Sequence, residues 1–129
     1  MHSDEAWLVI DRDSWTQAQI AELHNWSLLH ENHGLAISNP SFELWLLLHF
    51  ESPVGIDSTR RCVDRLKRWI RDYDKGFDAG KITRQQVQTA IERAKRHDHQ
   101  HVDDWPRHPG QTTVYRLVES IINTLDAGP

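Results

Sequence analysis

Ala6-Trp7-Leu8-Val9-Ile10-Asp11-Arg12-Asp13 is the stretch on which the reading of this chain turns. An unbroken apolar run follows the acidic Asp4-Glu5 and is too short for a self-burying helix. Its β-branched and aromatic makeup predicts a strand covered on both faces, as in a parallel sheet. The strand ends on two carboxylates, Asp11 and Asp13. Asp13 or Ser14 stands where a helix N-cap belongs.

Working outward, residues 14–33 place Trp15, Ala18, Ile20 or Ala21, Leu23, Trp26 and Leu29 at roughly helical spacing. Gly34 reads as the glycine just past that helix. Leu35-Ala36-Ile37 then reads as a second buried strand, stopped by Ser38-Asn39-Pro40. Pro40 suits the first position of a new helix. Residues 42–50 are apolar nearly all round, so that helix is expected at the centre. Strand, helix, strand, helix predicts a βαβα unit on a parallel sheet with a right-handed crossover.

Beyond Pro53 and Gly55 the pattern becomes helical. Asp57 or Ser58 caps a segment to about residue 71, with Val63, Leu66, Trp69 and Ile70 inward. Tyr73-Asp74-Lys75-Gly76 interrupts it. Thr83 caps a helix to about residue 96, striped by Val87, Ala90, Ile91 and Ala94. A polar stretch carries His97, His99, His101, Trp105, Pro106 and Pro109. A last amphipathic helix is expected from Thr112 or Thr113 to Leu125.

With 129 residues, 38% of them hydrophobic, the chain suits one compact domain with its own core. A formal net charge of −4 argues against nucleic-acid binding by bulk charge, so any such contact needs a local patch, a metal or a partner. The single cysteine, Cys62, forbids an internal disulfide and suits a reducing, cytoplasmic setting. No signal-like segment opens the chain. The longest apolar run, residues 44–48, meets His49 far short of the roughly 18 residues of a membrane span.

Ligands of open α/β sheets bind beyond the carboxyl ends of parallel strands. Asp11 and Asp13 arrive there from the first strand, and Ser38-Asn39-Pro40 from the second. Carboxylates two residues apart at a strand end share one side and suit a hard divalent ion such as Mg2+ or Mn2+. The alternative is that Asp11 ends a strand and Asp13 caps a helix. Glu43, near the start of an apolar helix, gains from the helix dipole, and either joins such a site or makes a capping contact with Asn39. His49 reads first as a satisfied core histidine. His97, His99 and His101 alternate as zinc or nickel ligands can, but lack a fourth ligand at a matching spacing and read as a solvated loop. Arg60, Arg61, Arg65, Lys67, Arg68 and Arg71 either touch phosphates or form a solvated helix face. Tyr73 and Lys75 are displayed at a break between helices. There is no nucleotide-binding P-loop and no G-x-S-x-G serine.

The run Val9-Ile10-Asp11-Arg12-Asp13, followed by Ile37-Ser38-Asn39-Pro40-Ser41-Phe42-Glu43-Leu44-Trp45-Leu46-Leu47-Leu48-His49-Phe50, resembles the RloB family. Tyr73, Lys75, Ala90, Ala94, Thr113 and Leu117-Val118 extend the likeness over nearly the whole chain. The resemblance implies a Toprim-like fold, with residues 1–52 as the C-terminal part of its α/β core. Residues 53–129 become a helical extension packed on that core in a single structural domain. It also implies a Mg2+- or Mn2+-dependent nuclease of prokaryotic restriction or abortive-infection loci, acting on DNA or RNA beside an AAA-type ATPase partner. Asp11 and Asp13 match the family's metal-binding D-x-D, and Asn39 and Glu43 are carried over as candidate catalytic residues. The N-terminal strand bearing the Toprim glutamate has no counterpart before Asp11. An enzyme incomplete in this chain is therefore expected, with homo-oligomerisation over the uncovered sheet. The alternative is a non-catalytic module that docks the ATPase.

Overall fold

The computed structural model describes residues 4–98 and 104–127. Strand β1 (Ala6–Asp11) leads through a 3-10 turn (Arg12–Ser14) into helix α1 (Gln17–Leu28). Strand β2 (His33–Asn39) follows, then α2 (Phe42–Leu47) and α3 (Thr59–Leu66). Short 3-10 turns at Tyr73–Lys75 and Ala79–Lys81 precede α4 (Arg84–Arg96), a two-residue strand β3 (Gln111–Thr112) and α5 (Val114–Ala127). The class is the expected α/β fold with helices following the sheet.

β1 and β2 pair in parallel, from Ala6 opposite His33 to Asp11 opposite Ser38. β3 runs antiparallel along the other edge of β2, with Ser38 opposite Thr112 and Asn39 opposite Gln111. The expected two-stranded sheet is therefore three-stranded. The start assigned to the last helix, Thr112 or Thr113, belongs to this strand and its exit. Thr113 binds both main-chain groups of Ile37: its N–H donates to Ile37 O (2.9 Å), and its Oγ1 accepts from Ile37 N (3.0 Å). Ser38 and Thr112 hydroxyls meet at 2.7 Å.

The sheet order β1-β2-β3 corrects the burial expected for the opening strand. β1 is an edge strand, and Val9 is 46% exposed. The strand buried on both faces is β2, where Ala36, Ile37 and Ser38 are wholly inaccessible. A continuous apolar run specifies a strand but not how many neighbours it has.

Gly34 is the second correction. It lies inside β2 opposite Trp7, not at a helix end, and a Cβ there would fall 2.4–2.6 Å from atoms of the Trp7 indole. Only a residue without a side chain lets that ring lie on the strand. Helix α1 begins at Thr16 rather than Asp13 or Ser14. Thr16 Oγ1 accepts from Gln19 N, and Gln19 Oε1 accepts from Thr16 N, a reciprocal capping box. Thr83 caps α4 as expected, and with Gln86 it repeats that box.

Pro40 precedes the N-cap Ser41 of α2 and is joined to Asn39 by a cis peptide. α2 is central as expected: Leu44, Trp45 and Leu47 join Ala36, Leu48, Cys62, Leu66, Ala90, Ile91 and Ala94 in the main core. Each such large apolar side chain contributes about 1.5–3 kcal/mol by leaving water. α3 ends at Leu66, short of residue 71, and Trp69 is 52% exposed rather than inward.

Candidate functional site

The C-terminal end of β1, the N-terminus of α2 and the start of α3 meet at one end of the sheet. Asp11, the last residue of β1, is half-buried, and its Oδ1 accepts from the Phe42 N–H at 2.8 Å. That N–H opens α2 and has no partner inside the helix. Asp13 is held from two sides. Its N–H donates to Pro40 O at 3.1 Å, and its Oδ2 accepts from the Thr59 hydroxyl at 3.2 Å. Glu43, one residue further along α2, projects its charge into the same space.

Burial pushes the Asp11 carboxyl above its ordinary range, and Glu43 and Asp13 push it further, while the Phe42 N–H pulls it back. Tyr73 sits against this cluster. Burial and the neighbouring Glu43 carboxylate push its phenol up to about 12, so the hydroxyl keeps its proton at neutral pH. Cys62, fully buried in α3, is likewise pushed up to about 12, first by burial and then by Glu43.

Among the described residues no three His, Cys, Asp or Glu side chains converge closely enough to enclose an ion. A zinc-type cage is therefore not formed by them. Magnesium makes a different demand, because it takes one or two carboxylates and keeps several waters. Asp11 and Asp13 each direct one oxygen to a protein donor and leave the other without one. That donor set fits a hydrated hard cation.

The remaining candidates separate from the cluster. Asn39 is buried, and its Nδ2 donates to Pro106 O at 3.2 Å, which ties β2 to the 105–110 loop; it does not cap toward Glu43. His49 is buried, with Nδ1 donating to Trp45 O (3.0 Å) and Leu46 O (3.2 Å) and its ring edge-on to Trp45. Burial lowers its pKa, so it is a neutral core residue. His99 and His101 lie outside the described residues. In the basic cluster Arg61 pairs with Asp57 (3.5 Å), Lys67 pairs with Asp74 (2.9 Å), and Arg65 clamps Glu51. Half of that cluster is thus engaged within the chain. Lys75 is exposed on the Tyr73 turn. Thr59 was legible only as a helix start, since nothing in sequence connects it with Asp13, 46 residues earlier.

These features define an α/β protein with an acidic site at the carboxyl end of a parallel strand pair. The chain belongs to the family of RloB-like proteins, whose model matches residues 1–121. No curated protein and no solved structure matches it. Among the described residues no helix is long and apolar enough to cross a membrane.

Proposed function

We propose that this RloB-like chain is a metal-dependent, Toprim-type nuclease component of a prokaryotic anti-phage system of the abortive-infection kind. It would act on nucleic acid in the cytoplasm with Mg2+ or Mn2+, beside an AAA-type ATPase. The observation that carries the reading is the placement of Asp11 and Asp13 at the carboxyl end of β1, each held by one protein donor, with the Glu43 charge acting on Asp11. Uncompensated, like-charged carboxylates are costly and cluster at functional sites.

In this reading Asp11, fixed by the Phe42 N–H, and Asp13, fixed by Thr59, hold the ion. The ion, when bound, would stabilise charge on the attacking and leaving oxygens of a phosphodiester. Glu43 accepts a hydrogen bond from the attacking water and orients it. Tyr73, protonated up to about 12, steadies the Glu43 carboxylate. Asn39 acts through position, since its bond to Pro106 holds the strand end that leads into α2. The unpaired outer edge of β1 favours self-association, because exposed edges recruit strands.

The alternative, a non-catalytic module docking the ATPase, is favoured by the absence of three converging ligands among the described residues. Calorimetric titration with MgCl2 and MnCl2, run beside cleavage assays of the parent and Asp11→Ala, separates the two. The nuclease reading expects a binding isotherm and cleavage that the variant loses. Equal cleavage by both proteins removes Asp11 from the chemistry, and no heat with either metal leaves the docking module.

A further inference from the structure

A concavity of about 350 Å³ lies between the end of α3 and the Ala79–Lys81 turn, walled by Phe50, Trp69, Ile70 and Phe77 and rimmed by Arg71, Lys81, Asp72 and Asp78. Trp69 is 52% exposed, an unusual state for the largest apolar side chain in a protein whose other aromatic residues mostly pack inward. The ring is nevertheless fixed. It stacks on Phe50 at 5.6 Å with the planes 14° apart, and its Nε1 donates to Glu51 Oε2 at 3.0 Å. Glu51 is held in turn by Arg65. An exposed indole locked by stacking, a hydrogen bond and an ion pair is a prepared flat surface, not a stray hydrophobe.

Two acids and two bases share the rim: Asp72, Asp78, whose Oδ1 accepts from Gly80 N at 2.9 Å, Arg71 and Lys81. Arg71 and Lys81 have no ion-pair partner among the described residues, unlike Arg61, Arg65 and Lys67. The pocket is linked to the acidic site through the Tyr73 turn. Ile70 and Arg71 line it, Ile70 O accepts from Tyr73 N at 3.2 Å, and Tyr73 faces Glu43.

We propose that this aromatic pocket binds an unpaired nucleobase of a single-stranded polynucleotide, stacked on Trp69, with the adjoining phosphates at Arg71 and Lys81. The inference deepens the nuclease reading and rests on it for its biological meaning. A flat ring beside free cations matches a base attached to a phosphate, and stacking tolerates any base. A duplex keeps its bases inside and offers the pocket only phosphates. The site would therefore favour single strands, and it would hold the base next to the phosphate presented to Asp11 and Asp13.

The test is fluorescence anisotropy of labelled oligonucleotides on the full chain in EDTA, so that binding is read without metal or cleavage. The probes are a 12-mer of dT, a 12-mer of U, the dT strand in duplex form, and an abasic strand of equal charge. Expected is preference for both single strands over duplex and abasic strand. Trp69→Ala should lose at least tenfold in affinity, and Trp69→Phe should keep most of it. Melting curves of both variants check that the fold survives. Equal binding of the abasic and base-bearing strands, or a folded Trp69→Ala protein that binds as the parent does, overturns the proposal. Preference for U over dT or the reverse identifies which polynucleotide is used. Binding is read in EDTA and cleavage in Mg2+, so failure of the nuclease reading and failure of the pocket are read separately.

Discussion

Replacing Asp11 by asparagine should make the protein more stable, while replacing it by alanine should make it less stable. Asp11 Oδ1 accepts the Phe42 N–H at 2.8 Å, and asparagine keeps that acceptor whereas alanine removes it. The asparagine oxygen is neutral, and a neutral hydrogen bond contributes about 0.5–1.5 kcal/mol. Asparagine also removes a charge that burial, Glu43 and Asp13 all oppose. The order expected at pH 7 is Asn above parent above Ala, with the two variants separated by about 1 kcal/mol. At this chain length that is a difference of about 3 °C in melting temperature.

The pH dependence follows from the sign of the shift. The Asp11 carboxyl titrates above its ordinary 3.8 in the fold. Its protonated form therefore favours folding, and the stability it lends is full below pH 3.8 and lost as pH rises through the raised value. The advantage of the asparagine variant over the parent must then appear above that value and close below pH 3.8. Urea unfolding followed by tryptophan fluorescence at pH 7 and pH 3.5 measures both. An asparagine variant less stable than the parent at pH 7, or an equal gap at both pH values, would refute the reasoning. In the calorimetric titration the same variant should lose Mg2+ binding.

Three further outcomes follow from packing. Gly34→Ala puts a Cβ 2.4–2.6 Å from the Trp7 ring and should cost about 1–3 kcal/mol, read as a lowered melting temperature; an unchanged value would mean that the ring does not lie on β2. Thr113→Val removes the Oγ1 that accepts the buried Ile37 N–H and should cost about 1–3 kcal/mol, whereas Thr113→Ser should recover most of it. Cys62, with its thiol pushed up to about 12, should resist iodoacetamide at pH 8 until denaturant is added, and labelling of the native protein at the rate of a free thiol would contradict its burial.

What the sequence reveals divides along physical lines. Elements carried by local chemistry are legible: the Thr83 cap announces α4, and the apolar run of 42–50 announces a central helix. Elements decided by a distant neighbour are not. Gly34 has the same local appearance past a helix as under an aromatic ring, and only its register with Trp7 tells them apart. β3 is two residues long and draws its stability from Ser38 and Ile37, more than seventy positions away. β1 reads as buried because its composition suits a central strand, while its edge position depends on which strands flank β2.

The acidic site follows the same division and shows why it stands out. Asp11, Asp13 and Glu43 are each visible in sequence, and each has an innocent local explanation as a strand end, a cap or a dipole partner. Asp13 does not cap α1, since Thr16 occupies that position, so its innocent explanation fails. Glu43 keeps its place as a dipole partner in the first turn of α2, and Asp11 ends β1 as expected. What remains is negative charge drawn together by long-range packing, with Phe42, Thr59 and Tyr73 directed at it. Folding alone gains nothing from bringing three carboxylates together, and the predicted stabilisation by Asp11→Asn measures that cost. Asp11 takes the Phe42 N–H at the start of α2, where the Ser41 hydroxyl makes no hydrogen bond, and under the proposed function a hydrated divalent cation would answer the charge that this leaves.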